Sequence, residues 1–457
     1  MKLKVSLCIL YLLPFAIISI FNQPAIDDFW SANVIRDHGR VGAVSFFYKT
    51  VSARFFSNFL MGFLNTLPYG EIWMFKMWPI IVILLLIGSF YFFYRSIFQT
   101  IFKANEVLLA SLFFVVVYIA NIRVLFEGLY WMSSTICYQV AVCVFVLGIG
   151  SVIRYLKSPS LPYAILSLSC CLLLPGTAES IAPVFFLVLA GMLYISIKQQ
   201  SGVKFLLLCM GASLASMAFV ALSQGNITRI QTDGLGYKQD IFYALFYSIR
   251  AVGFYNLIWL IIPLNIAALL LIFEPLKRIF KQIVLPVSIY YNPAFFILIS
   301  YAACIIIYLP LTYFAAKEPF PRVTVMVFFV AAHLAVWAIG ILLKKSKNIS
   351  QFAAYLSGIK NCRTFGWIFF FAAAFSSRNF ILVTRDLFQG NAYNYNLEAN
   401  NRYEIIKAAK GDTCYVPEYV HWPAFIQYAK TENDNSNSFL RMNEYFKKTI
   451  LYEKGMR

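Results

Sequence analysis

Charge is what this sequence has least of. Asp, Glu, Lys and Arg together make up 13% of its 457 residues, about half the share of an ordinary soluble chain, and the mean hydropathy is +0.71. That excludes the two or three soluble domains the length would otherwise suggest. Histidine is scarce too: His38, His333 and His421 are the only ones, and the nine cysteines form no C-x-x-C. A zinc site therefore has no ligand set. Most cysteines stand in apolar runs and read as buried thiols, with a Cys137–Cys414 disulfide as a remote option. No G-x-G-x-x-G and no P-loop occurs, which leaves a nucleotide-sugar or ATP site without support. Alternating ten-residue strands are missing as well, which excludes a transmembrane barrel. Val5 to Phe21 resembles a signal-peptide core, but no A-x-A-like cleavage site follows it, so it reads as a retained first span.

What is present is a series of apolar runs of about 17 to 23 residues, the length that crosses a hydrocarbon core of about 30 Å. The expected fold is an all-α polytopic membrane protein of about eleven spans. They centre on residues 5–21, 72–94, 107–125, 136–153, 161–176, 181–197, 205–223, 253–273, 293–313, 323–343 and 365–382. The net charge of +18 does not point to nucleic acid, because of where it sits. With the N-terminus placed in the cytoplasm, the inside loops collect sixteen cations, from Lys2 and Lys4 through Arg95, Arg154 and Arg278 to Arg363, against only Glu106 and Glu274. This is the positive-inside pattern, and it puts the C-terminus outside.

Most carboxylates of the membrane portion then fall outside, which makes any chemistry extracytoplasmic. Residues 26–68 are too polar, at Lys49, Arg54, Asn58 and Asn65, for a simple span and read as interfacial amphipathic helices. A short span from Arg54 to Leu67 is the competing reading, and it would spoil the charge bias. Gln224 to Arg250 reads as a second interfacial stretch. The layout expected is a multi-span unit over 1–384 and a small extracytoplasmic α/β domain over 385–457, with a helical Tyr403 to Ala409 and a strand Thr413 to Val416.

The sharpest motif is Ile26-Asp27-Asp28-Phe29-Trp30, directly after the first span. Two adjacent carboxylates at a membrane surface are costly to desolvate, and each raises the other's proton affinity. The plain alternative is that they cap the helix that follows. Glu127, among Phe126, Tyr130 and Trp131, has the look of a sugar site, where ring faces stack and acids bind hydroxyls; an interfacial aromatic belt is its alternative. Glu179, in Gly176-Thr177-Ala178-Glu179, binds acceptor, caps a helix or helps hold a metal. Arg322 suits bidentate phosphate binding or simple snorkelling.

The Asp-Asp-aromatic after span one, Ser52-Ala53-Arg54-Phe55, Glu127-Gly128-Leu129-Tyr130-Trp131 with Tyr138, Glu179, and Pro319-Phe320-Pro321-Arg322 together resemble the bacterial GT-C glycosyltransferases. More narrowly, the chain is similar to the multi-pass serotype-converting glucosyltransferases that decorate O-antigen. The likeness spans residues 1 to about 450. Two positions depart from the pattern: Ala53 stands where a glycine is usual, and so does the Ser133-Ser134 pair.

The resemblance implies transfer of a sugar, glucose among the candidates, from a polyprenyl-phosphate carrier to an extracytoplasmic glycan such as O-antigen, in a bacterial inner membrane, by an inverting single displacement. Such chemistry needs a base for the acceptor hydroxyl and a cation for the departing phosphate. Asp27 or Asp28 is the candidate base. Arg54, Lys317 and Arg322 are candidates for the phosphate, and Glu127, Tyr130, Trp131, Tyr138 and Glu179 for sugar and acceptor. A divalent cation, Mg or Mn, held by Asp27, Asp28, Glu127 and Glu179 is a further expectation. The rivals are an O-antigen polymerase or ligase, and a polyprenyl-linked sugar flippase or transporter, whose charges would sit at mid-membrane.

Overall fold

The computed structural model describes residues 1–233, 240–282, 292–315, 321–345, 351, 362–426 and 437–452. Helices dominate. In chain order they are α1 (Lys2–Ile18), α2 (Asp27–Thr50), α3 (Phe55–Leu64), α4 (Trp73–Phe98), α5 (Ala104–Asn121), α6 (Met132–Lys157), α7 (Leu161–Leu173), α8 (Ala182–Gln199), α9 (Val203–Ala221), α10 (Gln224–Asp233), α11 (Ile241–Ile261), α12 (Pro263–Gln282), α13 (Pro293–Ala315) and α14 (Thr324–Lys345). After them come α15 (Cys362–Phe375), α16 (Arg378–Phe388), α17 (Asn391–Ala408), β1 (Thr413–Val416), α18 (Asn437–Phe446) and β2 (Thr449–Tyr452).

Among the described residues, eight helices are long and apolar enough to cross a membrane, or nine if a bent pair counts as one span. The chain is a multi-pass membrane protein. The expectation of eleven spans is met by a helix in every expected stretch but not by eleven full-length ones. α7 covers 13 residues, about 20 Å at 1.5 Å per residue, because the chain turns at 174–181. The expected span at 253–273 is two helices, broken at Ile262–Pro263. The expected span at 365–382 bends by 55° between Phe375 and Arg378.

The Pro263 break has a definite cause. Proline has no N–H for the Trp259 carbonyl, which would otherwise close that helical turn. Asn265 supplies the donor instead, its Nδ2 lying 2.8 Å from Trp259 O. Asn265 and Asn121 in turn exchange amide hydrogen bonds of 2.8 and 2.9 Å.

α6 is the central helix, with α4, α7, α3 and α14 against it. Its Gly148 is required by closeness: a Cβ there would sit 2.9 Å from Cys170 and 3.0 Å from Phe185. The ends of the bundle are set apart by charge. At one end Arg154 bonds Ser96 Oγ at 3.2 Å, Lys157 Nζ reaches the Ser96 and Ile97 carbonyls, and Arg278 lies over the Phe102 ring at 5.9 Å. At the other end Asn22 Nδ2 donates to Phe75 O and Tyr130 O, and the Phe56 and Ser57 N–H groups donate to Gly176 O. The turns at 22–26, 65–72, 122–131, 174–181 and 321–323 gather here.

Two helices follow the first span where interfacial helices were expected. α2 is bent at Gly39, whose φ of 68° is a left-handed backbone that glycine adopts without strain. The tail does contain a short parallel sheet, β1 beside β2 with Thr413 opposite Thr449. It is continuous with the membrane part, however: Val383, Ala392, Tyr395, Phe425, Ile426 and Tyr445 belong to the main core, and only Ile406, Cys414, Val416 and Ile450 form a core of their own. The Tyr445 ring lies 5.5 Å from Phe29 and its hydroxyl donates to Leu67 O at 2.7 Å. The tail is thus held against the helix that carries Asp27 and Asp28. Cys8, Cys137, Cys143, Cys170, Cys171, Cys209, Cys304 and Cys414 are free thiols.

Candidate functional site

The site begins at a strained residue. Ile26 has φ 39°, a conformation that a β-branched residue adopts only under constraint. The turn places Asp27 and Asp28 in the first turn of α2 and folds the second back on the chain. Asp28 Oδ2 accepts the Ala25 N–H at 2.9 Å; Oδ1 accepts the Ser133 hydroxyl at 2.5 Å and the Ser133 N–H at 3.2 Å. Asp28 is 1% exposed. Its backbone carbonyl is gripped as well, by Asn65 Nδ2 at 2.8 Å and Ser31 Oγ at 3.0 Å.

Ser133 stands in the first turn of α6, where helix N–H groups have no carbonyl partner. Asp28 therefore caps α6 from a distance of 105 residues in sequence. Burial pushes its carboxyl up to about 7; the Ser133 and Ala25 donors oppose that rise and the Asp27 charge adds to it. Asp27, half-buried, is placed differently. It lies within electrostatic reach of Arg322, as do Glu127, Tyr138 and Arg54.

A second group forms where α3 meets the 174–181 turn. The first N–H groups of α3 are satisfied by Gly176 O, at 2.9 and 3.1 Å from Phe56 N and Ser57 N. Gly176 must be glycine, since a Cβ would come within 2.4 Å of the Phe55 ring. This junction sets Arg54 against Glu179 in a two-pronged ion pair, Nε to Oε2 at 2.6 Å and NH2 to Oε1 at 2.7 Å. Burial would lower the proton affinity of the Arg54 guanidinium. The Glu179 charge, Tyr138 and the paired hydrogen bonds outweigh it and hold the group protonated well above its ordinary range.

The two groups are bridged by rings. The Arg54 guanidinium lies 5.7 Å from the Tyr138 ring centre, and Arg322 lies 5.9 Å from the same ring and 5.2 Å from Trp131. A guanidinium over an aromatic face within about 6 Å is attracted by its quadrupole. Glu127 completes the cluster. Burial raises its carboxyl, while the Arg322 charge and backbone N–H draw it back down, and its Oε2 is closed off from solvent with no hydrogen-bond partner among the described residues.

Comparison with protein-family models, with curated proteins and with solved structures returned no match. The site is therefore read from its own chemistry.

Of the expected site residues, Asp27, Asp28, Arg54, Glu127, Trp131, Tyr138, Glu179 and Arg322 are brought to this one end. Tyr130 is at this end only through its backbone: its ring is turned into the core, with the hydroxyl donating to Phe15 O at 3.1 Å. Neighbours on a helical turn point about 100° apart, so Trp131 faces the cluster while Tyr130 faces α1. Trp131 and Tyr138 are 4% and 5% exposed; Trp131 lies between the Arg322 guanidinium and the stacked Phe126 ring, and Tyr138 meets both guanidiniums. Lys317, Pro319 and Phe320 lie outside the described residues. Glu179 and Glu127 engage different arginines, and among the described residues no group of three His, Cys, Asp or Glu side chains gathers as a metal set.

Two residues have roles that their local sequence does not announce. Ser133 departs from a glycine pattern, yet it is the side chain that bonds Asp28. Asn65 adds polarity to an interfacial stretch, yet it clamps the Asp28 backbone. The available signal was position: Ser133 follows Trp131 at a helix start, where N–H groups seek a carboxylate.

Proposed function

We propose that this protein is a membrane glycosyltransferase of the GT-C type, which moves a sugar from a polyprenyl-phosphate carrier to an extracytoplasmic glycan. The observation that supports it is the convergence of two arginines and four carboxylates, from five separate turns, on one end of the bundle. Carrier-linked transfer needs both signs of charge at a bilayer edge, one to accept a proton and one to receive a phosphate. The family subtype, an O-antigen-modifying transferase of a bacterial inner membrane, belongs to the same proposal, as do a cytoplasmic N-terminus and an extracytoplasmic C-terminus.

In the proposed reaction the acceptor hydroxyl oxygen attacks the anomeric carbon while the bond from that carbon to the phosphate oxygen breaks. Asp27 takes the hydroxyl proton. The electron pair leaves with the phosphate, whose charge meets Arg322. Asp28, spent on Ser133 and Ala25, is the positioning residue that holds the first turn of α2. Arg54 is committed to Glu179, which leaves Arg322 as the nearer match for the planar, two-pronged recognition of phosphate. Glu127, with an acceptor atom lacking a bond, is suited to a sugar hydroxyl. Trp131 and Tyr138 position the guanidiniums.

A flippase or transporter is the second reading, supported by the helix breaks at Pro263 and between Phe375 and Arg378, since interrupted helices mark transport sites. The test that separates the two gives purified protein in detergent a polyprenyl-phosphate sugar, or a nucleotide sugar, with an acceptor glycan. Transfer from the lipid-linked donor alone is expected. Transfer from the nucleotide sugar with carrier lipid rigorously absent, or movement of the lipid across vesicles without any transfer, overturns the proposal.

A further inference from the structure

The turn that carries Glu127 has another flank, which the proposed reaction does not use. Arg123 lies four residues before Glu127 and is exposed. Its NH1 donates to the Tyr255 hydroxyl at 2.5 Å and its guanidinium lies 5.4 Å from that ring centre. Among the described residues no carboxylate pairs with it. Behind Tyr255, at 6.2 Å between ring centres, stands Tyr308 of α13, fully buried, within electrostatic reach of Arg123, and with a hydroxyl that has no hydrogen-bond partner among the described residues. Buried hydroxyls are nearly always satisfied, and an exception asks for an explanation.

The placement of this cluster follows from the Pro263 break. Asn265 replaces the lost donor at Trp259 O and is itself held by Asn121, two residues before Arg123. The break therefore ties the C-terminal part of α11, with Tyr255 in it, to the end of α5. The outward side of α11 below this point is apolar, with Leu257 and Ile261 exposed by 66% and 73%.

We propose that Arg123, Tyr255 and Tyr308 form a phosphate-binding site of their own, occupied by the phosphomonoester headgroup of a membrane lipid whose chains lie along α11. An arginine offers five N–H donors, and only one of these is engaged by Tyr255. A phosphate set beside the Arg123–Tyr255 contact takes two parallel N–H bonds from the guanidinium edge that Tyr255 leaves open, and a shift of the Tyr255 ring brings the Tyr308 hydroxyl behind it to donate to a third oxygen. The apolar side of α11 supplies the surface that the lipid chains need. This site stands independently of the transfer reaction, because neither Arg322 nor Asp27 belongs to it.

The test uses the full chain in detergent, with dioleoyl phosphatidic acid as the phosphomonoester probe, dioleoyl phosphatidylcholine as the zwitterionic comparison and inorganic phosphate as the free anion. Binding is read by native mass spectrometry, and a photoreactive phosphatidic acid locates it on the chain. Phosphatidic acid should bind in preference to phosphatidylcholine and label peptides around 119–126 and 250–262. Arg123→Ala should weaken binding by roughly 10-fold or more, the loss of a charge-assisted hydrogen bond, and Arg123→Lys by less. Tyr308→Phe separates a ligand role from a structural one: it should weaken binding while leaving the melting temperature unchanged or higher, because the hydroxyl it removes bonds nothing among the described residues. Equal binding of phosphatidylcholine, labelling that survives Arg123→Ala and Arg123→Lys, or full affinity in Tyr308→Phe overturns the site. Displacement by inorganic phosphate at the lipid's own concentration overturns the lipid as its occupant.

Discussion

At the end of the bundle where α4 turns into α5, Arg278 pairs with Glu274 one turn away at 2.8 Å, with both side chains more than a third exposed. At the opposite end Arg54 pairs with Glu179, 125 residues distant, with 13% of the arginine and 31% of the glutamate side chain exposed and two short bonds between them. The distances are alike and the physics is not. An exposed pair gains little, because water screens it and two flexible side chains must be ordered. A shielded pair interacts strongly but strands a charge if either partner goes. The first end carries cations that water accommodates. The second holds charge that only its own geometry keeps tolerable.

The largest effect expected from this contrast is on rate. Asp27→Asn keeps the shape and removes proton acceptance, so transfer should fall by about 10²- to 10⁴-fold, the usual contribution of a general base, at unchanged membrane abundance. Steady-state transfer with a lipid-linked donor measures it, and turnover near wild type would return Asp27 to a structural role.

Next is stability. Arg54→Ala should destabilise the detergent-solubilised protein by about 3 kcal/mol, and Arg54→Ala combined with Glu179→Gln should recover part of that loss. Thermal unfolding of the single and double variants reads the coupling. Additive losses would show that the pair is no more than a surface contact.

The third effect is the pH response of Asp28. Its folded value stands at about 7 against an ordinary 3.8, so the unfolded chain releases the proton first. Stability is then fullest below about 4, falls as pH rises through the interval to about 7, and is level above it. Asp28→Asn should flatten that part of the melting profile, and a slope unchanged by the substitution would refute the assignment. The smallest effect is Arg278→Ala, which should shift stability by about 0.5 kcal/mol or less. A larger shift would erase the contrast between the two ends.

Several site residues were legible because their signals are local. Asp27, Asp28, Arg54, Glu127, Glu179 and Arg322 are charges flanking apolar runs, and charge in such a place stands out without any structure. Tyr130 misled for the same reason: an aromatic beside Glu127 looks like part of its site until the turn shows which ring faces which way. Ser133 and Asn65 stayed hidden because small polar residues near helix starts are common, and only a carboxylate across the bundle gives these two a role.

The amino-acid sequence alone determined the class of the protein, since long uncharged runs have no stable place except inside a membrane or a large core. Which carboxylate is capped and which faces an arginine was decided by tertiary structure, as were the pairing of Arg54 with Glu179 and the tie between Asn121 and Asn265. The physical reason is range. Hydropathy and charge act along a few turns of chain, whereas a hydrogen bond is fixed within tenths of an ångström by helices that meet from 100 residues or more away, and no local pattern records which of several polar residues they will bring together.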